Sequence, residues 1–394
     1  MFKKPEIIYY RKPETLGGNI IEIKTDSTRV IFDCGTELCG APDAPPPDVP
    51  GLFTEGQPVS AVFITHYHLD HAGFINKIIP GVPVYIGKKA AAIMEAHNAA
   101  QGRDFPEGAR ICGFLKDGAP VTVGDITVAP FLCDHSAADS YMLLCDACGK
   151  RILYTGDFRS NGRKSYPALL NKLPQGIDLL IREGTLDGFT SLSKTERALE
   201  AEFQAEFCAR AGKPVFVLSS STNIDRLVTV YKAARKCGRI VLTDPVLSSV
   251  AEAAGGKIPR PGAPGVYAFT PTGGDRSYAV LKRFKSRLGK SKIAESDFVM
   301  FVRPSMGEYL KSLSRLTPFE GGALVYSMWE GYRDEPQVAG LLNTCASLGL
   351  DAVTVHTSGH ADARAVEMLL ERTRPRKVQI VHTEPRTLKR KEDA

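Results

Sequence analysis

No apolar run in the 394-residue sequence approaches the roughly 18 to 20 residues needed to cross a bilayer, which argues against a membrane partner. The opening Met1-Phe2-Lys3-Lys4-Pro5-Glu6 lacks the apolar stretch of a secretory signal, so the expected location is the cytoplasm. The nine cysteines are odd in number and scattered from Cys34 to Cys345. That is no disulfide framework, and it suits a reducing compartment. Cys145 and Cys148 form a lone CxxC with no second pair at a useful spacing. Between two strand-like runs it reads as a hairpin turn rather than a zinc knuckle or a redox pair. Nor is charge of one sign in marked excess: 50 Lys+Arg against 44 Asp+Glu gives +6, a mild bias toward polyanionic partners. The basic segments at 374–377 and 389–391 read as solvated surface. What remains is a globular composition, 43% hydrophobic and 24% charged, in a chain long enough for one large domain or two ordinary ones.

The first 190 or so residues alternate short strand-like runs with few long helical stretches. Residues 19–24 and 29–33 read as a hairpin, and Val62-Phe63-Ile64-Thr65 as a short buried strand. The proline-rich 40–50 should be an exposed loop. Further strands are expected at 82–86, 126–130, 141–144, 152–154 and 177–181. From Thr195 the texture changes: an amphipathic helix to Arg210, strands at 215–218, 239–242, 299–302 and 323–326, and helices at 224–236 and 277–290. Alternating strands and helices indicate a parallel α/β unit. A strand at 352–356, a helix at 361–372 and a strand at 378–382 close the chain. There is no internal repeat. The expected division is 1–191, an inserted 192–345, and 346–394 returning to the first lobe.

The strongest chemical signal is Thr65-His66-Tyr67-His68-Leu69-Asp70-His71-Ala72-Gly73, directly after a buried strand. Imidazole nitrogens and carboxylate oxygens suit a borderline ion such as Zn²⁺. In an extended segment alternate residues share a face, so His66 and His68 can reach one metal. A turn into helix near Asp70 aims Asp70 and His71 at an adjacent position. Packing gives no reason for such a cluster. Later strand-like runs end in further candidate ligands: His135 after 126–131, Asp157 in Thr155-Gly156-Asp157, and His382 after 378–381. Asp157 is a candidate bridge between two ions. His135 or His382 alone would read as a satisfied polar residue, and His97 and His356 stand outside these motifs.

These residues resemble the metallo-β-lactamase superfamily pattern, with Phe32-Asp33-Cys34-Gly35 similar to the end of its opening hairpin. Glu183-Gly184-Thr185, Thr357-Ser358-Gly359-His360-Ala361 and Val381-His382-Thr383-Glu384 are similar to three further motifs of the β-CASP nucleases. The resemblance implies an α/β fold, an αββα metallo-β-lactamase sandwich with an inserted β-CASP α/β domain. It implies that His66, His68 and His135 hold one zinc ion, that Asp70, His71 and His382 hold a second, and that Asp157 bridges them. Manganese is compatible with the same ligands. His360 is the implied general acid, held by Glu183, and Asp70 joins them in the implied catalytic set. In the family a histidine at the position of His382 goes with action on RNA.

Together these imply a metal-dependent ribonuclease cutting single-stranded RNA by two-metal hydroxide attack, endonucleolytically or 5′ to 3′. A DNA nuclease of the same fold and a thioesterase- or lactamase-type small-molecule hydrolase are the alternatives. Ser219, Ser220, Ser221, Thr222 and Arg226, at a strand-to-helix junction, read either as a phosphate site or as an ordinary N-cap with a surface arginine. Ser358 and Gly359 are further phosphate candidates. A homo-oligomer is left open.

Overall fold

The computed structural model describes residues 4–38, 44–103, 110–189, 191–270 and 275–383. The chain forms two compact units, one of residues 1–91, 104–193 and 359–394, the other of 92–103 and 194–358.

In the first unit, β1 (Glu6–Tyr9), β2 (Ile21–Lys24), β3 (Arg29–Phe32), β4 (Ala61–Phe63), β5 (Pro83–Gly87) and β6 (Arg110–Leu115) pair in that order as one sheet. The expected hairpin is β2 and β3, antiparallel with Ile21 opposite Phe32, and β3 to β6 then run parallel. A second sheet contains β7 (Val121–Val123), β8 (Ile126–Cys133), β9 (Ser140–Ala147), β10 (Lys150–Tyr154) and β11 (Leu179–Glu183), and the strand Val378–Val381 adds in parallel to β11. Cys148 and Gly149 alone connect β9 to β10, both at positive φ (49° and 69°). This is the primed hairpin turn that matches strand twist, and it accounts for the CxxC spacing.

One buried cluster draws on the inner faces of both sheets, Phe32 and Phe63 from the first with Leu143, Tyr154 and Ile181 from the second. Phe32 stacks on Tyr154 at 5.8 Å between centroids. The outer face of the second sheet is covered by the helices Tyr166–Lys172 and Ala363–Thr373, through Leu169, Leu170, Ala365 and Leu369. Two sheets packed face to face under helices is the sandwich implied by the histidine motif.

The second unit is a parallel α/β layer. Its strands β12 (Val215–Leu218), β13 (Ile240–Thr243), β14 (Val266–Ala268), β15 (Phe298–Val302), β16 (Ala323–Tyr326) and β17 (Asp351–Thr354) lie in the order β14-β13-β15-β12-β16-β17. The expected boundary near 345 moves to 358, because β17 pairs with β16 (Ala323 opposite Asp351) and so belongs to this sheet. The last strand, Val378–Val381, is β18.

Thr195 caps the helix Glu196–Ala209 and Asn223 caps Ile224–Lys236, each accepting a backbone N–H three residues on. Packing between these two helices brings Cys208 and Cys237 to 5.5 Å between Cα atoms, and they form a disulfide. The cysteine count had argued against a disulfide framework, and this one bond is outside what the count could show.

The helix Lys88–Ala100 was not expected: it follows β5 directly and its apolar residues form no strong stripe. Residues 44–49 lack regular structure, in keeping with the proline-rich loop. The motif residue Glu384 and the basic 389–391 lie outside the described residues. Among the described residues, no helix is long and apolar enough to cross a membrane.

Candidate metal centre

His66, His68, Asp70, His71, His135, Asp157 and His382 all lie shortly after the C-terminal ends of strands of the first unit. β4 leads to His66 and His68 and then into the short helix Leu69–Ala72, which carries Asp70 and His71. β8 delivers His135, β10 delivers Asp157, β11 ends on Glu183, and β18 delivers His382. Strand ends of mixed and parallel sheets are where α/β folds collect their ligand groups.

Among the described residues the side chains form three groups, the last two sharing Asp157 and His382, and within each the ligating atoms lie within 4.8 Å of one another: His66 with His68 and His135; Asp70 with His71, Asp157 and His382; and Asp157 with Glu183, His360 and His382. His68 Nδ1 is 3.0 Å from His135 Nε2. Asp157 is central: its Oδ2 lies 3.8 Å from the Nε2 atoms of His66, His135 and His382. Its Oδ1 lies 3.2 Å from His71 Nε2. Asp157 Oδ2 and His66 Nε2 are buried without a hydrogen-bond partner, and Asp157 Oδ1 has only the off-line contact with His71 Nε2. Buried polar atoms are normally satisfied, and a carboxylate left bare among imidazoles is costly. A divalent cation would satisfy these atoms together. This donor set of nitrogen and carboxylate oxygen fits such an ion.

The rear nitrogens of His66, His71 and His135 are held by partners of the kind metal ligands use. His71 Nδ1 lies 2.7 Å from Asp33 Oδ2, and His135 Nδ1 2.6 Å from the Gly359 carbonyl. Thr65 Oγ1 donates to Asp33 at 2.9 Å and meets His66 Nδ1 at 3.1 Å. Tyr154 OH donates to Asp33 Oδ2 at 2.8 Å, and Thr65 N donates to Asp33 Oδ1 at 2.7 Å. Asp33 and His382 both hold left-handed backbone, φ 59° and 52°. Such strain in non-glycine residues gathers at functional sites. The motif reading gave Asp33 no role; a carboxylate directly after the buried strand β3 was the available signal.

Electrostatics divides the histidines into two kinds. Burial, with neighbouring imidazoles, pushes His66 and His135 well below the usual range, and burial takes His68 down to about 4. These three keep their lone pairs. Burial also opposes protonation of His71 and His382, but the carboxylates outweigh it and both are raised: Asp157, Asp33 and Asp70 for His71, Asp157 and Asp70 for His382. Asp70 and Asp157 are lowered, the imidazoles overcoming burial. Without a cation, protons on histidine balance the carboxylates; bound metal would displace them.

His360 stands beside this cluster with Nδ1 2.8 Å from Glu183 Oε2. Glu183 is fixed in turn by the backbone N–H groups of Phe158 (3.0 Å) and Ala361 (3.3 Å). Burial lowers the His360 imidazole, but Glu183 and Asp157 prevail and raise it to about 9.

The phosphate candidates divide. Ser220 is exposed and bonds to Thr222 at 2.9 Å, Ser221 and Thr222 are half-buried, and Ser219 Oγ is buried without a partner. Asn223, not one of the serines, caps the helix. Arg226 is a correction: it is fully buried, bonded to Ser327 Oγ and the Val355 carbonyl and 3.6 Å from Glu196, so it braces the second unit's core and is closed to a phosphate. Ser358 is half-buried. Gly359 acts through its carbonyl on His135, and a Cβ there would come 2.7 Å from Ser136 Oγ and 3.2 Å from His135 Cε1.

Comparison with known proteins agrees with this geometry. Residues 28–218 match the β-lactamase superfamily domain, and residues 350–392 match the Zn-dependent metallo-hydrolase RNA specificity domain. The ribonuclease J of Sinorhizobium meliloti is 23% identical over 385 residues, covering 90% of this chain and 64% of that protein. The ribonuclease J of Mycobacterium tuberculosis is 24% identical over 407 residues, covering 93% and 66%. This chain thus spans 64–66% of the length of these relatives. A crystal structure of a protein of unknown function from Enterococcus faecalis V583 superposes with a TM-score of 0.78 at 20% identity, over 97% of this chain and 94% of that one, and shows the shared fold. With its sandwich, its buried histidine–aspartate cluster and both domain matches, the chain carries a β-lactamase superfamily domain and a Zn-dependent metallo-hydrolase RNA specificity domain and is similar to the ribonuclease J proteins.

Proposed function

We propose that this chain is a zinc-dependent ribonuclease that hydrolyses phosphodiester bonds of single-stranded RNA. The observation that carries the reading is the bare, buried carboxylate of Asp157 between two sets of imidazole and carboxylate ligands, with the His360–Glu183 pair alongside. We assign His66, His68 and His135 to one ion, Asp70, His71 and His382 to a second, and Asp157 to both. The nitrogen-rich donor set favours zinc, with manganese as a substitute in assays. Held there, such ions would lower the pKa of bound water and stabilise negative charge on phosphate oxygens.

The chain's own groups supply the rest. Glu183 accepts the Nδ1–H of His360, so Nε2 is the atom left to hand a proton to the departing oxygen. The carboxylate also favours the imidazolium, the form able to donate. Asp33 and the Gly359 carbonyl accept the Nδ1–H of His71 and His135, keeping each Nε2 for a ligand. Ser219 to Thr222 at the start of the helix Ile224–Lys236 remain candidates for a backbone phosphate; Arg226 is withdrawn from that set. The RNA-specificity match over 350–392 and the ribonuclease J relatives support RNA over DNA.

The test is cleavage of end-labelled single-stranded RNA and DNA of one sequence by zinc-loaded wild type and His360→Ala. RNA cleavage, with DNA spared and the variant slower by about 10²- to 10⁴-fold while keeping its metal, is expected. Cleavage of DNA alone would make it a DNA nuclease, and cleavage of neither would return it to the small-molecule hydrolases.

A further inference from the structure

One short segment stands behind two of the site's histidines. After β11 the chain runs Glu183-Gly184-Thr185 and is zipped to the end of β18. Gly184 N donates to the His382 carbonyl at 3.3 Å, and Thr383 Oγ1 donates to the Gly184 carbonyl at 2.9 Å. The approach is close enough that a Cβ on Gly184 would lie 2.5 Å from Ile380 Cγ2. Glu183 faces His360 from this segment, and Thr185 faces His382: its Oγ1 is 2.9 Å from His382 Nδ1 and 3.3 Å from the His382 carbonyl oxygen.

A hydroxyl has one proton to give and lone pairs to receive. If Thr185 gives its proton to the His382 carbonyl, it can accept the Nδ1–H of the same residue. Nε2 then faces Asp70, whose Oδ2 is 2.9 Å away; with no ion Nε2–H donates there, and a bound ion would take that proton's place. If the hydroxyl proton went to Nδ1 instead, the neutral ring would carry its own proton on Nε2, where a cation has to bind. Thr65 provides the precedent within this molecule. It donates to Asp33, which as a carboxylate can only accept, and so must receive the Nδ1–H of His66.

We propose that Thr185 is a positioning residue for His382, which accepts its Nδ1–H and reserves its Nε2 for the ion held with Asp70 and His71. By also engaging the His382 carbonyl, the same hydroxyl steadies a residue held at φ 52°. It follows that the ion at Asp70, His71 and His382 depends on Thr185, while the ion at His66, His68 and His135 does not. The inference rests on the two-ion reading given above.

The experiment is zinc titration against a chelator for wild type, Thr185→Val and Thr185→Ser, with ¹⁵N NMR of histidine-labelled, zinc-loaded protein. Wild type should bind two ions, with the His382 ring protonated on Nδ1. Thr185→Val, which keeps the shape and loses the hydroxyl, should bind the first ion normally and the second about 10- to 100-fold more weakly, with an altered His382 signal. Thr185→Ser should restore both. If Thr185→Val does not fold by circular dichroism, Thr185→Ala against Thr185→Ser makes the same comparison. Two ions at wild-type affinity in a folded variant without the hydroxyl would overturn the role of Thr185 alone. Fewer than two ions in wild type would instead overturn the metal assignment on which it rests.

Discussion

Replacing Glu183 by glutamine separates the chemistry of the His360 pair from its architecture. Glu183 makes three contacts: Oε1 accepts from Phe158 N at 3.0 Å and from Ala361 N at 3.3 Å, and Oε2 accepts from His360 Nδ1 at 2.8 Å. A glutamine oxygen can keep both backbone bonds, so the loop from β10 and the segment carrying His360 stay in place. Its amide nitrogen then faces His360 Nδ1 and can only donate. The ring must present a lone pair there, the imidazolium loses its carboxylate, and a neutral imidazole is a poor acid. Loss of a positioned acid costs about 10²- to 10⁴-fold in rate, or roughly 3 to 5 kcal/mol of barrier. Folding stability should fall by about 1.5 to 3 kcal/mol, since the hydrogen bond exchanged is one to a charged group. Single-turnover cleavage of labelled RNA, with zinc content and thermal unfolding on the same preparations, separates these effects. A variant that holds its metal and cuts within a few-fold of wild type would refute the role given to this pair.

Two further outcomes concern stability. The Cys208–Cys237 bond closes a loop with a sequence separation of 29, for which the chain-entropy estimate is about 3 to 4 kcal/mol. Reduction, or Cys237→Ser, should lower the denaturation midpoint, and an unchanged midpoint would contradict the bond. In the first unit, Glu22 is buried and accepts from Arg29 Nε at 2.6 Å and Tyr10 OH at 2.6 Å. Burial raises its pKa, but these partners outweigh burial and leave it below the ordinary 4.5. The unfolded chain therefore takes up this proton first as pH falls, so the stabilisation is present above 4.5 and is lost on acidification below it. Unfolding curves between neutral and acid pH should show a shallower loss for Glu22→Gln than for wild type, and parallel losses would count against the pair.

The histidine cluster was legible because its density has no packing explanation, and because strand ends are recognisable one at a time. The helices Glu196–Ala209 and Ile224–Lys236 were legible from Thr195 and Asn223 before an apolar period. The helix Lys88–Ala100 was hidden: it has no turn or capping residue separating it from β5, and a run of alanine and lysine fits no period strongly. The helix Pro245–Ala254 carried a signal that went unused, an aspartate cap followed by proline. Arg226 was misread because its partners, Glu196, Ser327 and Val355, come from segments that only the folded second unit brings together. Asp33 and Thr185 were hidden for the same reason. Both stand in the motifs, Asp33 directly after β3, but their partners His71 and His382 lie 38 and 197 positions away, so neither pairing could be read locally.

Anomalous diffraction at the zinc edge from zinc-loaded crystals asks whether the cluster around Asp157 is a two-metal centre. Two peaks are expected, one within bonding reach of His66, His68 and His135 and one within reach of Asp70, His71 and His382, with Asp157 touching both. A single peak, or zinc bound elsewhere with Asp157 still bare, would contradict a two-metal centre.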